Sequence, residues 1–191
     1  MPKDTIERTI KKASGADGTS YEEVTFEGYA SNGVAVFVEC TTDNNNRTVA
    51  NIRATFSKYG GNLGTNGSLE FIFDRKGVFA IALENMDLEM EEFEMELIDA
   101  GLEEIEKEDD IILVYTDFAD FSAMQKKLEE LSIEVQSAEL QRIPTTSKIL
   151  DVDKSKSVLK MIDKFEEDED VQQVFHNMEL TEEILNAMDS E

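Results

Sequence analysis

The sequence has 191 residues, of which 43 are acidic and 18 basic, and its formal net charge is −25. Apolar residues make up 40%, which is typical of a folded, water-soluble protein, and we expect it to lie in the cytoplasm. The acidity argues against non-specific wrapping of nucleic acid, no apolar run is long enough to span a bilayer, and a single cysteine excludes an internal disulfide or a multi-cysteine zinc site.

The first elements along the chain are a helix and two strands. Residues 2–13 predict a short helix, and the glycine- and serine-containing stretch 14–20 predicts a flexible break. In the first strand Val24 and Phe26 alternate with polar residues, and the second, over 33–40, is rich in valine. This alternation is typical of a half-buried sheet.

An amphipathic helix is predicted next, over residues 46–59. Asp43 or Asn44 can cap its start, and a pair of glycines ends it. A loop with four glycines follows at 60–67, and 68–74 predicts a strand. The helix has an apolar side and an opposite polar side, which carries Arg47, Asn51 and Lys58.

Residues 77–144 predict a complete βαββαβ unit, the ferredoxin-like order of elements. Beyond a polar link, 157–168 predicts a helix and 171–176 a strand, which with the elements before residue 77 form most of a second such set. We therefore predict an α+β fold of two ferredoxin-like modules, the second inserted into the first and preceded by a short helix. The predicted domains are 1–20 as a remnant helix and linker, 21–76 plus 145–191 as the discontinuous first domain, and 77–144 as the inserted acidic domain.

The charge is distributed unevenly along the chain. Residues 1–76 carry 9 basic and 10 acidic groups, whereas 77–150 carry 5 and 20, and 151–191 carry 4 and 13. Such an asymmetry marks a module boundary, and acidic faces of this kind keep a protein soluble. Nearly all of the acidic excess therefore lies in the second and third segments, and the region before residue 77 is almost neutral.

Motifs for catalysis or metal binding are weak. The loop GGNLGTNG lacks the spacing of phosphate-binding loops and follows a helix rather than preceding one. A calcium-loop start at Asp151 fails, because Lys156 and Ile162 stand where glycine and glutamate are needed. His176 is the only histidine, and Cys40 has no other specific base as a partner. We expect no enzyme, no cofactor and no metal site.

The stretch 41–64 is the best candidate for binding. It places a polar cluster at a helix start (Asp43, Asn44 and Asn46) beside a cationic helix face and a glycine loop, chemistry that suits phosphate or ribose contact. The alternative is a merely solvated helix face, with the glycines serving as a helix stop and a hairpin-like entry.

At this stretch the sequence resembles the YebC/PmpR family, whose relatives include the mitochondrial translational activator of cytochrome c oxidase. The similarity runs through MPKDTIERTIKKASG, YEEVTFEGYASNGVAVFVECTTDNNNRTVANIRATFSKYGGNLG and GSLEFIFDRKG. It implies three domains and a non-enzymatic, DNA-binding transcriptional regulator. The candidate nucleic-acid or ribosome contacts are Arg47, Asn51, Arg53, Lys58, Gly60, Gly61, Asn62 and Gly64.

One departure from the family concerns the start of the chain. In family members a basic helical domain precedes the residues that resemble Met1–Asp4, so we expect that domain to be missing here and binding of DNA or ribosome to need it. The alternative function is a ribosome-associated translation factor, and a more distant one is a ligand-sensing or protein-interaction module. The oligomeric state is left open.

Overall fold

The computed structural model describes residues 20–190, which divide into two compact units. Unit 1 comprises residues 20–72 and 144–190, and unit 2 comprises Phe73–Ile143. The chain leaves and re-enters unit 1 at neighbouring points, because the backbone N–H of Thr145 donates to the carbonyl of Ile72 at 2.7 Å. The sequence placed these boundaries at 76/77 and 144/145. The predicted helix over 2–13 lies outside the described residues.

The described strands and helices follow one another in a fixed order. In chain order they are β1 (Glu22–Tyr29), β2 (Ala35–Thr42), α1 (Asn45–Lys58), β3 (Asn62–Leu63), β4 (Phe73–Ala82), α2 (Met90–Ile98), β5 (Leu102–Glu108), β6 (Ile111–Asp117), α3 (Phe121–Glu130), β7 (Val135–Pro144), α4 (Val152–Glu166), β8 (Val171–His176) and α5 (Glu182–Asp189). None of the described helices combines the length and apolar character needed to cross a bilayer.

Unit 1 is built on a sheet in the order β3-β1-β2-β8. β1 and β2 pair antiparallel from Glu22 opposite Thr42 to Tyr29 opposite Ala35, and β8 joins the far side of β2. The helices α1 and α4 supply apolar side chains to one core with the sheet, including Ile52 and Phe56 from α1 and Phe165 from α4. Their opposite sides remain exposed.

Unit 2 has the sheet order β5-β6-β4-β7. Its core gathers apolar side chains from the strands, α2 and α3, including Phe79, Phe93, Leu97, Val114, Met124 and Leu128. Successive strand residues point to opposite faces of a sheet, so the second face of this sheet carries a different set of side chains. With both units built from antiparallel sheets and interleaved helices, the α+β fold class is confirmed.

The two units share one arrangement with different chain connections. In unit 2 the edge strand β5 forms a hairpin with β6, the next strand in the chain, as expected for a ferredoxin-like order. In unit 1 the edge strand β3 pairs instead with β1, which precedes it in the chain. Unit 2 is inserted in the chain between β3 and α4, at the point where a ferredoxin-like order would have the strand that follows β3.

The predicted strand over 68–74 is wrong for most of its length. The backbone turns back on itself there, with Ser68 N–H donating to the Thr65 carbonyl and Ile72 N–H to the Leu69 carbonyl. Leu69 is fully buried whereas Phe71 is 77% exposed, so the apolar alternation arises from turns rather than from a pleated strand. β4 begins at Phe73 and continues to Ala82.

Two helices near the C-terminus also differ from the sequence prediction. α4 begins at Val152 rather than at 157, because the Asp151 carboxylate caps it by accepting the Lys154 N–H at 2.8 Å. α5 was not predicted, and the Thr181 hydroxyl caps it by accepting the Ile184 N–H. A side-chain N-cap sets the start of each of these helices, and the short apolar pattern of the sequence gives little indication of where either helix begins.

Candidate functional site

The polar side of α1 forms one wall of an open groove in unit 1. Two adjoining hollows, of about 420 and 430 Å³, lie along it and share Asn51 and Asp168. The first hollow also contains Arg47, and the second contains Lys58. The structure therefore brings together Arg47, Asn51 and Lys58, as the helical spacing predicted.

The Arg47 end of the groove is acidic, and its arginine is already engaged. Arg47 Nη2 lies 3.0 Å from the Asp170 carboxylate and 2.8 Å from Asp43 Oδ1. The hydrogen bond to Asp170, followed by that to Asp43, raises the pKa of the guanidinium. Arg47 therefore links the start of α1 to the segment before β8, and the groove at this end offers an anion little free charge.

Asp170 is the buried centre of this arrangement. Its side chain is 5% exposed, and besides Arg47 it accepts the Thr48 hydroxyl at 2.9 Å. The Thr48 hydroxyl also lies 2.7 Å from that of Thr42 at the end of β2. Sequence reasoning missed this role, because Asp170 stands in the acidic run 166–170, whose composition is typical of a solvated helix end. Only its position before the apolar start of β8 hinted at burial.

The Lys58 end of the groove is different in character. Lys58 from α1 and Lys164 from α4 both line this hollow with Thr55, beside the carboxylates of Glu167 and Asp168. The Asn51 side-chain amide donates to Asp168 Oδ2 at 3.4 Å. Lys164 Nζ lies 2.8 Å from Glu167, a half-exposed ion pair at the helix end. Sequence reasoning missed Lys164, although the recurrence of lysine every fourth residue at 156, 160 and 164 was a usable signal.

The remaining polar candidates of α1 are not brought to one place. Arg53 is exposed but stands well over 100° around the helix from the Asn51 and Lys58 direction. The Asn44 side chain accepts the Arg47 N–H and so caps the helix, whereas Asn46 is exposed. The polar cluster at the helix start thus has three different roles: Asn44 caps the helix, Asp43 pairs with Arg47, and the Asn46 amide is exposed.

The glycine loop packs tightly against the sheet. Gly60 has φ +79°, the left-handed conformation that ends a helix, and a Cβ on Gly61 would stand 2.4 Å from the Tyr29 carbonyl oxygen. Gly64 N–H donates to the Glu27 carbonyl at 2.8 Å, and the loop pairs with β1 through Asn62 opposite Tyr29. These contacts account for the glycines as a helix stop followed by a short edge strand, and Asn62 is the exposed polar side chain of the group.

Cys40 and His176 do not form a pair. His176 stands opposite Val36 on the neighbouring strand, so Cys40 lies four residues further along β2, roughly 13 Å away. Burial lowers the pKa of His176, and its Nδ1 accepts the Met178 N–H at 3.2 Å. Over residues 20–190, no three histidine, cysteine or carboxylate side chains lie close enough together to hold a metal ion.

Comparison with known proteins gives a consistent result. Residues 21–178 match the family model described as the second and third domain of TACO1/YebC. Proteins named "Probable transcriptional regulatory protein" from Cytophaga hutchinsonii and Parabacteroides distasonis are 53% and 52% identical, covering 95% and 93% of this chain and 76% and 73% of theirs. A crystal structure of a conserved hypothetical protein from Aquifex aeolicus superimposes with a TM-score of 0.77 at 37% identity, over 97% of this chain and 76% of that one.

Proposed function

This chain belongs to the TACO1/YebC family, and from that premise we propose that it regulates gene expression by contacting nucleic acid through the exposed sides of α1 and α4 in unit 1. The names of its relatives describe transcriptional regulation, so DNA is the first partner considered. The surface formed by α1 and α4 is called the helical layer below.

The helical layer concentrates the cations of unit 1. Seven of the eight lysines and arginines in its described residues lie on these two helices. α1 itself contains no Asp or Glu, although the chain as a whole is strongly acidic. The cations are Arg47, Arg53 and Lys58 on α1, and Lys154, Lys156, Lys160 and Lys164 on α4.

One observation carries the proposal: Lys58 and Lys164, from different helices, line the same hollow beside the Asn51 amide. Two ammonium groups and the Asn51 amide suit a phosphate with its adjoining sugar, which would replace Glu167 and Asp168, the carboxylates of the same hollow, as their partners. The Lys164–Glu167 ion pair does not block such contact, because an exposed pair of this kind contributes only about 0–1 kcal/mol.

A row of lysines continues along α4 from Lys164, and its members Lys156 and Lys160 line a separate hollow against α5. Lys156, Lys160 and Lys164 recur every fourth residue, so they lie on one side of the helix and span about 12 Å along its axis. A row of that length can neutralise neighbouring phosphates of one strand. Arg53 and Asn62, which are exposed elsewhere on unit 1, remain candidate secondary contacts.

The ribosome is a second candidate partner, favoured by the acidity of unit 2. Phe73–Ile143 carries 21 acidic and 6 basic groups, a charge that bare duplex would repel. A surface of RNA and protein together can accept such a charge beside a cationic patch. A role in translation would then be exercised through the same helical layer. In either case the proposal assigns binding and no catalysis.

The test compares two double variants of equal charge change. Lys58→Glu with Lys164→Glu removes the paired cations of the hollow, and Lys107→Glu with Lys126→Glu makes the same change at exposed sites of unit 2. Each is assayed with the native chain by DNA mobility shift over a salt series and by co-sedimentation with ribosomes.

We expect the first double variant to bind at least tenfold more weakly, with the salt dependence reduced by roughly two counterions, and the second to bind nearly as the native chain does. Melting temperatures should be unchanged, because all four lysines are on the surface. Equal losses in both variants would contradict the proposal, and so would a failure to bind DNA and ribosomes by a form of the chain that carries the basic N-terminal domain of its relatives. The assay that detects the difference identifies the partner.

A further inference from the structure

The second face of the unit 2 sheet, opposite its core, carries an ordered pattern of side chains. Cross-strand pairing sets Glu104 opposite Tyr115, Glu106 opposite Leu113 and Glu108 opposite Ile111. These six residues, which we call the acidic sheet face, form a row of three carboxylates beside a row of three apolar or aromatic side chains. All three glutamates are exposed, and Ile111 is 37% exposed.

The carboxylate row lies on an edge strand. β5 is the outermost strand of its sheet and pairs on one side only, with β6, within the described part of the chain. Its outer row of backbone N–H and C=O groups is therefore unused by the sheet. The three glutamates alternate along β5 at a spacing of about 7 Å, the two-residue repeat of a strand.

Electrostatics within the face are strongly negative. The Tyr115 hydroxyl donates to Glu106 Oε2 at 2.9 Å, and Glu104 and Glu108 lie two residues to either side of Glu106 on β5. Burial, then the hydrogen bond and charge of Glu106, and then the charges of Glu108 and Glu104 raise the pKa of the Tyr115 phenol. The hydrogen bond to Glu106 thus fixes the position of the neutral phenol on this face.

Several occupants are disfavoured by these facts. Nucleic acid would be repelled by three carboxylates in a row. A second copy of β5 placed edge to edge would bring like charges together. A metal ion is disfavoured because no three ligating side chains converge anywhere in residues 20–190.

We propose that the acidic sheet face binds a cationic, extended segment of a partner protein, in which lysine or arginine alternates with apolar residues. Such a segment, added as a strand beside β5, repeats its side chains every second residue and so places successive cations at the spacing of Glu104, Glu106 and Glu108. Its apolar side chains then point to the other face of the sheet, the face on which Ile105 packs against the core of unit 2. Basic segments of this kind are typical of proteins that themselves bind nucleic acid.

A competing explanation is that the glutamates only keep the edge strand from aggregating, a common protection of exposed edges. The two explanations differ in what they require of the spacing. Protection needs charge alone, whereas docking needs charges placed in register with a partner strand.

The test uses the full chain and a labelled nine-residue peptide that alternates lysine with valine. One control peptide has the same composition with its lysines contiguous, and another has glutamate in place of lysine. The variant Glu104→Gln/Glu106→Gln/Glu108→Gln keeps an acceptor for the Tyr115 hydroxyl. Its matched control, Glu91→Gln/Glu92→Gln/Glu94→Gln, removes the same charge from α2, where all three residues are exposed.

We expect fluorescence anisotropy to show the alternating peptide binding roughly tenfold more tightly than the contiguous one, and the β5 variant losing about tenfold in affinity, as three exposed charge pairs would give. The α2 variant should lose less than about threefold. Backbone amide shifts on peptide addition should map to β5 and β6.

Three results would overturn the proposal. These are no binding of the alternating peptide, equal binding of both lysine peptides, or equal losses in the two variants, since each reduces the face to a general negative charge. Self-association of the native chain that the β5 variant abolishes would assign the edge to a second copy and overturn it as well. Nucleic-acid binding through the helical layer is measured separately, so neither result decides the other.

Discussion

Arg47 shows how a residue chosen for its charge acquires a structural role. Its guanidinium contacts Asp170 and Asp43, and Asp170 is nearly buried. Replacing Arg47 or Asp170 would remove a charge-assisted hydrogen bond, which contributes roughly 1.5–3 kcal/mol to the free energy of unfolding. A substitution at Arg47 therefore reports on the stability of unit 1 as much as on binding, and for that reason Lys58 and Lys164 are the better probes of the groove.

His176 makes stability depend on pH. Burial lowers its pKa below the ordinary value of 6.5, so the unfolded state binds a proton at a higher pH than the folded state does. The free energy of unfolding should fall as pH drops from about 6.5 toward the folded pKa, by up to about 1.4 kcal/mol per pH unit. We expect His176→Gln to remove this part of the fall between about pH 7.5 and about pH 5.5.

Urea unfolding of both proteins at the two pH values measures the difference. The window lies above the range in which ordinary carboxylates titrate, so they contribute little to it. If the native chain and the variant lose stability in parallel, the histidine is not the group responsible.

At the scale of elements, the glycine loop can be separated into packing and contact. Gly61→Ala places a Cβ 2.4 Å from the Tyr29 carbonyl, so we expect a loss of about 1–3 kcal/mol in the free energy of unfolding. Asn62→Ala alters an exposed side chain of the same loop and should change stability by less than about 0.5 kcal/mol. Chemical denaturation measures both.

One result for these variants would contradict the packing described for the glycine loop. A stable Gly61→Ala protein would mean that the loop is not packed as described, and the glycine would then need another explanation. Reduced binding by Asn62→Ala at unchanged stability would instead place the loop among the nucleic-acid contacts.

Much of the element pattern was accessible from sequence because periodicity reports on burial. The two sides of α1 and the hairpin of β5 and β6 follow directly from spacing, as does β8. The strand over 68–74 was mistaken because Leu69, Phe71 and Phe73 alternate without sharing a face, which only the turn bonds reveal. Within the candidate site, Arg47, Asn51 and Lys58 were found together, whereas Asp170 and Lys164 come from distant sequence and needed the tertiary structure.

At the scale of the whole molecule, the insertion predicts a separable unit. Phe73–Ile143 has its own core, so we expect this fragment to fold alone and unfold in one cooperative transition. A fragment of 77–144 lacks the start of β4 and the ion pair of Lys76 with Glu103, and should be less stable. Circular dichroism in urea at moderate salt measures both transitions. A broad, non-cooperative transition of the longer fragment would show that unit 2 depends on the rest of the chain.

The pairing of β2 with β8 has a consequence for how the chain folds during synthesis. β2 is made early, but its partner follows only after the whole of unit 2 has been translated. Unit 2 can therefore emerge and fold first, while the outer edge of β2 waits unpaired for its last strand. Closing so long a loop is slow, because the entropy of the intervening chain opposes contacts between distant residues. During that interval the valine-rich β2 is the segment of unit 1 most exposed to misassociation, and the early, independent folding of unit 2 shortens the effective loop that must close.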